Sequence, residues 1–232
     1  MARLTEYVSV LTVLQAVYRL AAVPLLVVLL PVCGAGAAEP AVSAVAAAAT
    51  VNGTVITTRD YTQELERLRR RKGISAKNTD EATEALVKRE ALENLISREI
   101  LYQESVKQKI SIDPSVVGNE VAQAKAQYAN PGLFAESLRR INMTETKVRE
   151  QVMRGLAIQK LIERSLGKNG TVSDEELTTY YAQHQDAFTL PLDDVREKVR
   201  DLVRQEKNIT ALQRYVKGLR DAATVVILLA AE

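Results

Sequence analysis

Apolar positions along this chain switch period near residue 57. Val51-Asn-Gly-Thr-Val-Ile56 places Asn-Gly between β-branched residues, the signal of a tight hairpin turn. Helical spacing takes over after it. Thr57 or Thr58 caps a predicted helix running to Lys72, with Gly73 as its stop. Asn78 and Thr79 open a second helix to about Lys109, with Glu81 placed for a capping box. Leu92, Leu95, Ile96 and Ile100 form its apolar face. Asp113-Pro114 starts a third helix to about Ala129, and Asn130-Pro131 starts a short one over 131–140. Thr144 begins the next, with Val148, Val152 and Leu156 on one stripe and Gly167 as its end. Ser173 and Glu176 make a second capping box, for a helix to about Asp186. Pro191 interrupts the chain. A long amphipathic helix from about Leu192 to Arg220 follows, with Val195, Val199, Leu202, Ile209, Leu212, Val216 and Leu219 on its stripe. At ~1.5 Å per residue it extends on the order of 40 Å. The chain then turns to a β-type run, Thr224 to Leu229.

The two β-type segments lie near opposite ends of this pattern. An unpaired strand leaves its backbone groups unsatisfied, so the simplest closure pairs them with each other. The expected fold is mainly α: a multi-helix domain with a long C-terminal helix and a small sheet joining N- and C-terminal strands. No fixed-period repeat is visible.

The first forty residues read differently. Residues 20 to 32 are an apolar run preceded by Arg19 and Arg3 and followed by small residues. That order marks a secretory signal over residues 1–38, cleaved after Ala37 or Ala38. An uncleaved anchor over residues 7 to 33 is the alternative, at the cost of Arg19 in mid-bilayer. Cys33 at the end of the run is a third possibility, a lipidation site, although Pro31 and Val32 stand where small residues are wanted. Each reading sends the remainder out of the cytoplasm. Residues 39–49, dominated by alanine, read as a flexible leader. The helical domain then covers 50–190, and 191–232 supply the helix and strand that complete it.

Composition narrows the chemistry. The 232 residues carry a net charge of +2, so no strong field points to nucleic acid. One Cys and one His exclude an intramolecular disulfide and a Cys- or His-rich metal site. Gly167-Lys-Asn-Gly170 ends a helix rather than starting one, so it is no phosphate loop. His184, without an identifiable nucleophile or orienting partner, reads as an exposed helix-end residue. The basic run over 67–72 reads as a solvated helix end complementing the dipole, and Asp174/Glu175 and Asp193/Asp194 as first-turn acids. Four Asn-x-Thr sites, at Asn52, Asn142, Asn169 and Asn208, match glycosylation acceptors. Turn and cap chemistry accounts for the first three, and Asn208 falls in a helix. Tyr128, Leu133, Phe134 and Met143 cluster around the short central helix, and Met153 follows on the next. Such a group serves either as core, the commoner use, or as an apolar crevice for an unfolded chain. No catalytic residue, cofactor, metal or small-molecule ligand is indicated.

The order of segments resembles the exported chaperones of the SurA/PrsA/PpiD group. Val51-Asn-Gly-Thr-Val-Ile followed by Thr-Thr-Arg-Asp-Tyr61 is similar to the group's opening strand pair and first helix. Residues 92 to 117 look like its signature helix pair, and Val172-Ser-Asp-Glu-Glu-Leu-x-x-Tyr-Tyr181 continues the match. Residues 184 to 191 resemble the link into a parvulin rotamase domain. Here the sequence runs directly into what looks like the group's C-terminal helix and strand. The resemblance therefore implies a SurA N-terminal-like chaperone domain without the isomerase module, and no catalytic residue is carried over. It implies an ATP-independent periplasmic chaperone for unfolded exported or outer-membrane proteins. Its client surface is expected at Tyr128, Leu133, Phe134, Met143 and Met153. A prolyl isomerase and a dedicated envelope scaffold are the other readings.

Overall fold

The computed structural model describes residues 46–75, 79–166 and 171–229. Residues 1–38, expected to be a signal or anchor, lie outside the described residues, as do Cys33, Asn78, Gly167 and Asn169. Strand β1 (Ala47–Val51) turns through Asn52-Gly53 into β2 (Thr54–Thr57). Seven α-helices follow among the described residues: α1 (Thr58–Lys72), α2 (Glu81–Lys107), α3 (Pro114–Ala126), α4 (Pro131–Arg140), α5 (Glu145–Leu166), α6 (Asp174–Gln183) and α7 (Leu192–Asp221). A 3-10 turn, Gln185–Ala187, lies between the last two, and β3 (Val225–Ile227) is the last described element.

The sheet has the order β2-β1-β3 with both pairs antiparallel, so the two distant β segments do pair. Its central strand takes in Ala47 to Ala49, which the alanine-rich composition assigns to a flexible leader. The correction has a physical reason. Ala48 and Ala49 are fully buried, and their small side chains let the strand lie close over Leu92, Ile96 and Ile100 of α2. Burial and two neighbouring strands outweigh alanine's weak β preference.

Helix α2 is the centre of the body. Leu92, Ile96 and Ile100 face the sheet. Val87 and Ala91 meet Leu65 and Leu68 of α1. Leu101 joins Ile158 and Leu161 of α5 and Leu212 and Val216 of α7. Sequence spacing suggested one apolar face, yet α2 is buried on three sides. Its start also differs: Asp80 is the N-cap, accepting from the Thr83 N–H at 2.9 Å. Helix α6 ends at Gln183, earlier than the sequence suggested, because the chain tightens into the 3-10 turn. A separate small core forms where α6 lies on the first half of α7, around Leu177, Val199 and Val203.

The turn residue Asn52 fastens both ends to α2. It adopts φ 49°, a left-handed conformation that Asn tolerates better than most side chains. Its N–H donates to the Thr224 carbonyl at 2.8 Å, and its Oδ1 accepts from the Thr224 N–H at 2.8 Å. Its Nδ2 donates to Gln103 Oε1 at 2.8 Å. Gln103 in turn donates from Nε2 to the Val51 carbonyl at 3.0 Å and to Glu99 Oε1 at 2.9 Å. Glu99 accepts from Arg154 of α5 at 2.9 Å, and that guanidinium lies 4.0 Å from the Tyr102 ring centroid. One polar chain thus links hairpin, C-terminal strand, α2 and α5.

Asn52→Ala is expected to destabilise the protein by about 2–4 kcal/mol, combining lost side-chain hydrogen bonds with a strained left-handed alanine. Asn52→Gly keeps the backbone conformation and should lose less. Urea unfolding of both variants checks this, and equal losses would contradict it.

The exposed N-cap carboxyls of Asp80 and Asp113 are held below the usual carboxylate range, chiefly by the N–H groups of Thr83 and Ser115. A depressed folded-state pKa gives stability that is complete above the unfolded value, near 4, and is lost as pH falls through the folded value. The melting temperature should therefore drop on acidification below about pH 4. Because Asn caps about as well as Asp, the Asp80→Asn/Asp113→Asn pair should match the parent at neutral pH and lose less in acid.

Candidate client-binding surface

Helix α3 packs on α5, and α4 packs on α3, so α3 and α4 form an arm at the side of the central body. Two Asx-Pro starts build it. Asp113 Oδ1 accepts from the Ser115 N–H at 2.8 Å, and Asn130 Oδ1 accepts from the Leu133 N–H at 3.0 Å. Proline at the first helical turn sacrifices no intrahelical bond in either case. Asn142, at φ 50°, reverses the chain after α4, and the Met143 N–H returns to the Leu138 carbonyl at 2.8 Å. Arg59 at the start of α1 donates to the carbonyls of Ile141 and Asn142, tying this corner back to the body.

The five residues expected to form the client surface fall into different environments. Phe134 is 6 % exposed and packs as core in this structure. The reason is its neighbours. Tyr128 packs edge-on against it with ring centroids 5.3 Å apart, and the Lys125 ammonium sits 5.7 Å from its ring centroid. Lys125 also bonds Glu145 at 2.7 Å, bridging α3 to α5. This bond, with help from Arg149, holds the Glu145 carboxyl below its ordinary range. Tyr128 itself is half-buried, its hydroxyl accepting from Ser137 Oγ at 3.2 Å. Met143 and Met153 are half-buried. Leu133 alone of the five is exposed, at 44 %.

Two exposed apolar residues of this arm were not singled out in the sequence: Val116 on α3 and Ile141 at the end of α4. Helical spacing could not separate them from core positions. Two clefts lie elsewhere among the described residues. One, of about 300 Å³, is lined by Glu175, Thr179, Tyr180 and Val203 between α6 and α7. The other, of about 230 Å³, is lined by Asn52, Gln103, Lys107, Leu219 and Ala223 beside the hairpin turn. A second exposed apolar group lies on the sheet: Val55, Val226, Ile227 and Leu228.

The His184 ring stacks on Tyr180 with centroids 4.1 Å apart, and its Nδ1 lies 2.9 Å from the Tyr180 carbonyl. Among the described residues no group of three or more His, Cys, Asp and Glu is placed to hold a metal ion, and no helix is long and apolar enough to cross a membrane. What the geometry offers is contact area: a braced arm and a small sheet, each with apolar side chains open to solvent.

Phe134→Ala should remove the ring that Tyr128 and Lys125 pack on, costing about 3–5 kcal/mol. Leu133→Ser should change stability by no more than about 0.5 kcal/mol. Thermal unfolding of the two variants compares them, and a loss for Leu133→Ser as large as for Phe134→Ala would refute the partition.

Comparison with known proteins gives a consistent picture. The family described as SurA-like N-terminal domain matches residues 10–162. A curated relative, the foldase protein PrsA of Clostridium acetobutylicum, is 28% identical over 188 residues, covering 76% of this chain and 56% of the relative. The foldase protein PrsA of Clostridium botulinum is 27% identical over 163 residues, covering 65% of this chain and 48% of the relative. The chain thus spans about half the length of the curated relatives it matches. Among solved structures, one from work on the virulence factor PEB4 and the periplasmic protein Cj1289, SurA-like chaperones of Campylobacter jejuni, superposes with a TM-score of 0.54. At 15% identity, covering 80% of this chain and 100% of the other, it shows a shared fold. The family match extends from the N-terminal apolar segment to the helix that braces the arm, and on that ground the chain belongs to the SurA-like N-terminal domain family.

Proposed function

We propose that this protein is an ATP-independent chaperone that holds unfolded exported polypeptides, with outer-membrane or secreted proteins as its clients. The observation that carries this reading is the split character of the α3–α4 arm. Phe134 and Leu138 fix α4 by burial, while Leu133, Ile141 and Val116 remain open. Contacts of this kind are individually weak and non-directional, so they accept many sequences and release them without nucleotide. The half-buried Met143 and Met153 supply adaptable side chains at the margin of the arm. Export is part of the proposal: residues 1–38 act as its address, by cleavage, by retention as an anchor or through Cys33. The family and the names of the relatives support a chaperone role in general, and the surface and clients named here extend it.

A second reading rests on the word foldase in the relatives' names. A prolyl isomerase needs groups converging on a proline peptide, and His184 with its Tyr180 stack supplies none. A proline-peptide isomerisation assay decides: a rate above background that co-purifies with the chain would favour it.

The main reading predicts that the protein suppresses aggregation of a urea-diluted outer-membrane barrel protein at several-fold molar excess, with no nucleotide added. The Leu133→Asp/Ile141→Asp variant, folded by circular dichroism, should suppress markedly less. Full aggregation in the presence of the parent protein would contradict the proposal, and undiminished suppression by the variant would contradict the surface assigned.

A further inference from the structure

The sheet has two edges, and they are unlike. β2 runs straight into α1, with Thr57 Oγ1 accepting from the Asp60 N–H at 3.0 Å, so this edge ends in a helix cap. β3 is the other edge, paired only with β1 among the described strands. Its register with β1 is Val51↔Val225, Thr50↔Val226 and Ala49↔Ile227. The flanking bonds, Asn52 N–H to the Thr224 carbonyl at 2.8 Å and Leu228 N–H to the Ala48 carbonyl at 2.9 Å, fix which pairs are hydrogen-bonded. In an antiparallel ladder these alternate. Thr224, Val226 and Leu228 therefore spend their backbone groups on β1, and those of Val225 and Ile227 point outward.

Side chains at this edge are apolar and exposed. Val226, Ile227 and Leu228 are 46%, 50% and 52% exposed. Val226 continues across Thr50 to Val55, itself exposed, as one row over the outer sheet face. Residues 222–229 contain no charge and no proline. Natural edge strands are normally guarded by such residues, by a bulge or by a covering element. Here none of the described elements pairs along the edge.

We propose that the outer edge of β3 takes up an extended, apolar stretch of unfolded polypeptide as a fourth strand. The inference deepens the chaperone reading and rests on it, naming one place where a client is held. Main-chain bonds at Val225 and Ile227 would give sequence-tolerant affinity, and the row Val226–Thr50–Val55 would favour a partner with alternating apolar residues. Size selects the occupant. A three-residue strand is ~10 Å long. Pairing it with a second copy of itself falls well short of the roughly 1,000 Å² that a stable specific interface needs. A transient client contact needs less.

The test uses the full chain and a labelled decapeptide of alternating valine and threonine with a lysine at each end. Its twin carries N-methyl groups on the amides of one edge. Fluorescence anisotropy should show binding of the first peptide and about five- to tenfold weaker binding of the twin. Ile227→Pro removes an outward N–H and leaves the bonds to β1 in place, so it should weaken the unmodified peptide similarly. Should that variant misfold, the methylated peptide on the parent protein carries the test alone. Equal affinity for both peptides would overturn the proposal. So would a dimer in sedimentation that Ile227→Pro dissociates, or a cross-link from position 227 to residues 1–45 of the same chain. If aggregation suppression persists while the edge variant and the methylated peptide behave normally, only this inference fails. If suppression is absent throughout, the chaperone reading fails first.

Discussion

The contact between Asn52 and Thr224 carries the architecture. It joins residues 172 apart in sequence, so it closes almost the whole described chain into one loop. Closing so long a loop costs conformational entropy that two hydrogen bonds could not offset alone. The rest comes from burial around it. Ala48, Ala49, Val51 and Ile56 seal the sheet onto Leu92, Ile96 and Ile100, with Val225 and Leu229 of the C-terminal segment packed against the same cluster. Asn52 is suited to the post because one residue supplies the left-handed turn, an acceptor for the returning strand and a donor for Gln103.

From that closure the rest follows in order of tightness. Helix α2 is enclosed by the sheet, α1, α5 and α7, so its surroundings set the rigid part of the molecule. The two outlying units are held more sparingly. The arm of α3 and α4 is braced by the Lys125–Glu145 pair and by Arg59 reaching the carbonyls after α4. The α6 unit is tied by its own small core, by Arg196 to Asp174 at 2.6 Å and by Lys207 to Glu176 at 2.7 Å. Exposed ion pairs of this kind contribute little stability each. The proposed chaperone role is compatible with such a division, in which a firmly packed centre carries two more sparingly held units.

Most of the fold was legible in the sequence because local chemistry marks helix ends strongly. Asp113-Pro114, Asn130-Pro131 and the Ser173/Glu176 capping box each begin a helix where the pattern placed it. The pairing of the ends was legible because unpaired strands are costly. Burial was harder to read. Ala47–Ala49 look like a featureless tract until the neighbours that demand small side chains are in place. Phe134 and Leu133 are adjacent and equally apolar, yet one is core and the other open, and only the positions of Tyr128 and Lys125 decide which. Asn94, buried on α2 with neither amide atom hydrogen-bonded, has no counterpart in any sequence pattern. The open edge of β3 was likewise invisible, since a hydrophobic terminal run does not say which of its faces will be covered.

The most direct measurement of the central claim is hydrogen exchange on the full chain with and without an unfolded outer-membrane client. The account predicts new protection at the α4 arm and along β3, with the amides of α2 already protected and unchanged. Protection appearing only on the α6–α7 hairpin, or loss of protection in α2 on client addition, would contradict the picture of a closed body that engages clients at its open surfaces.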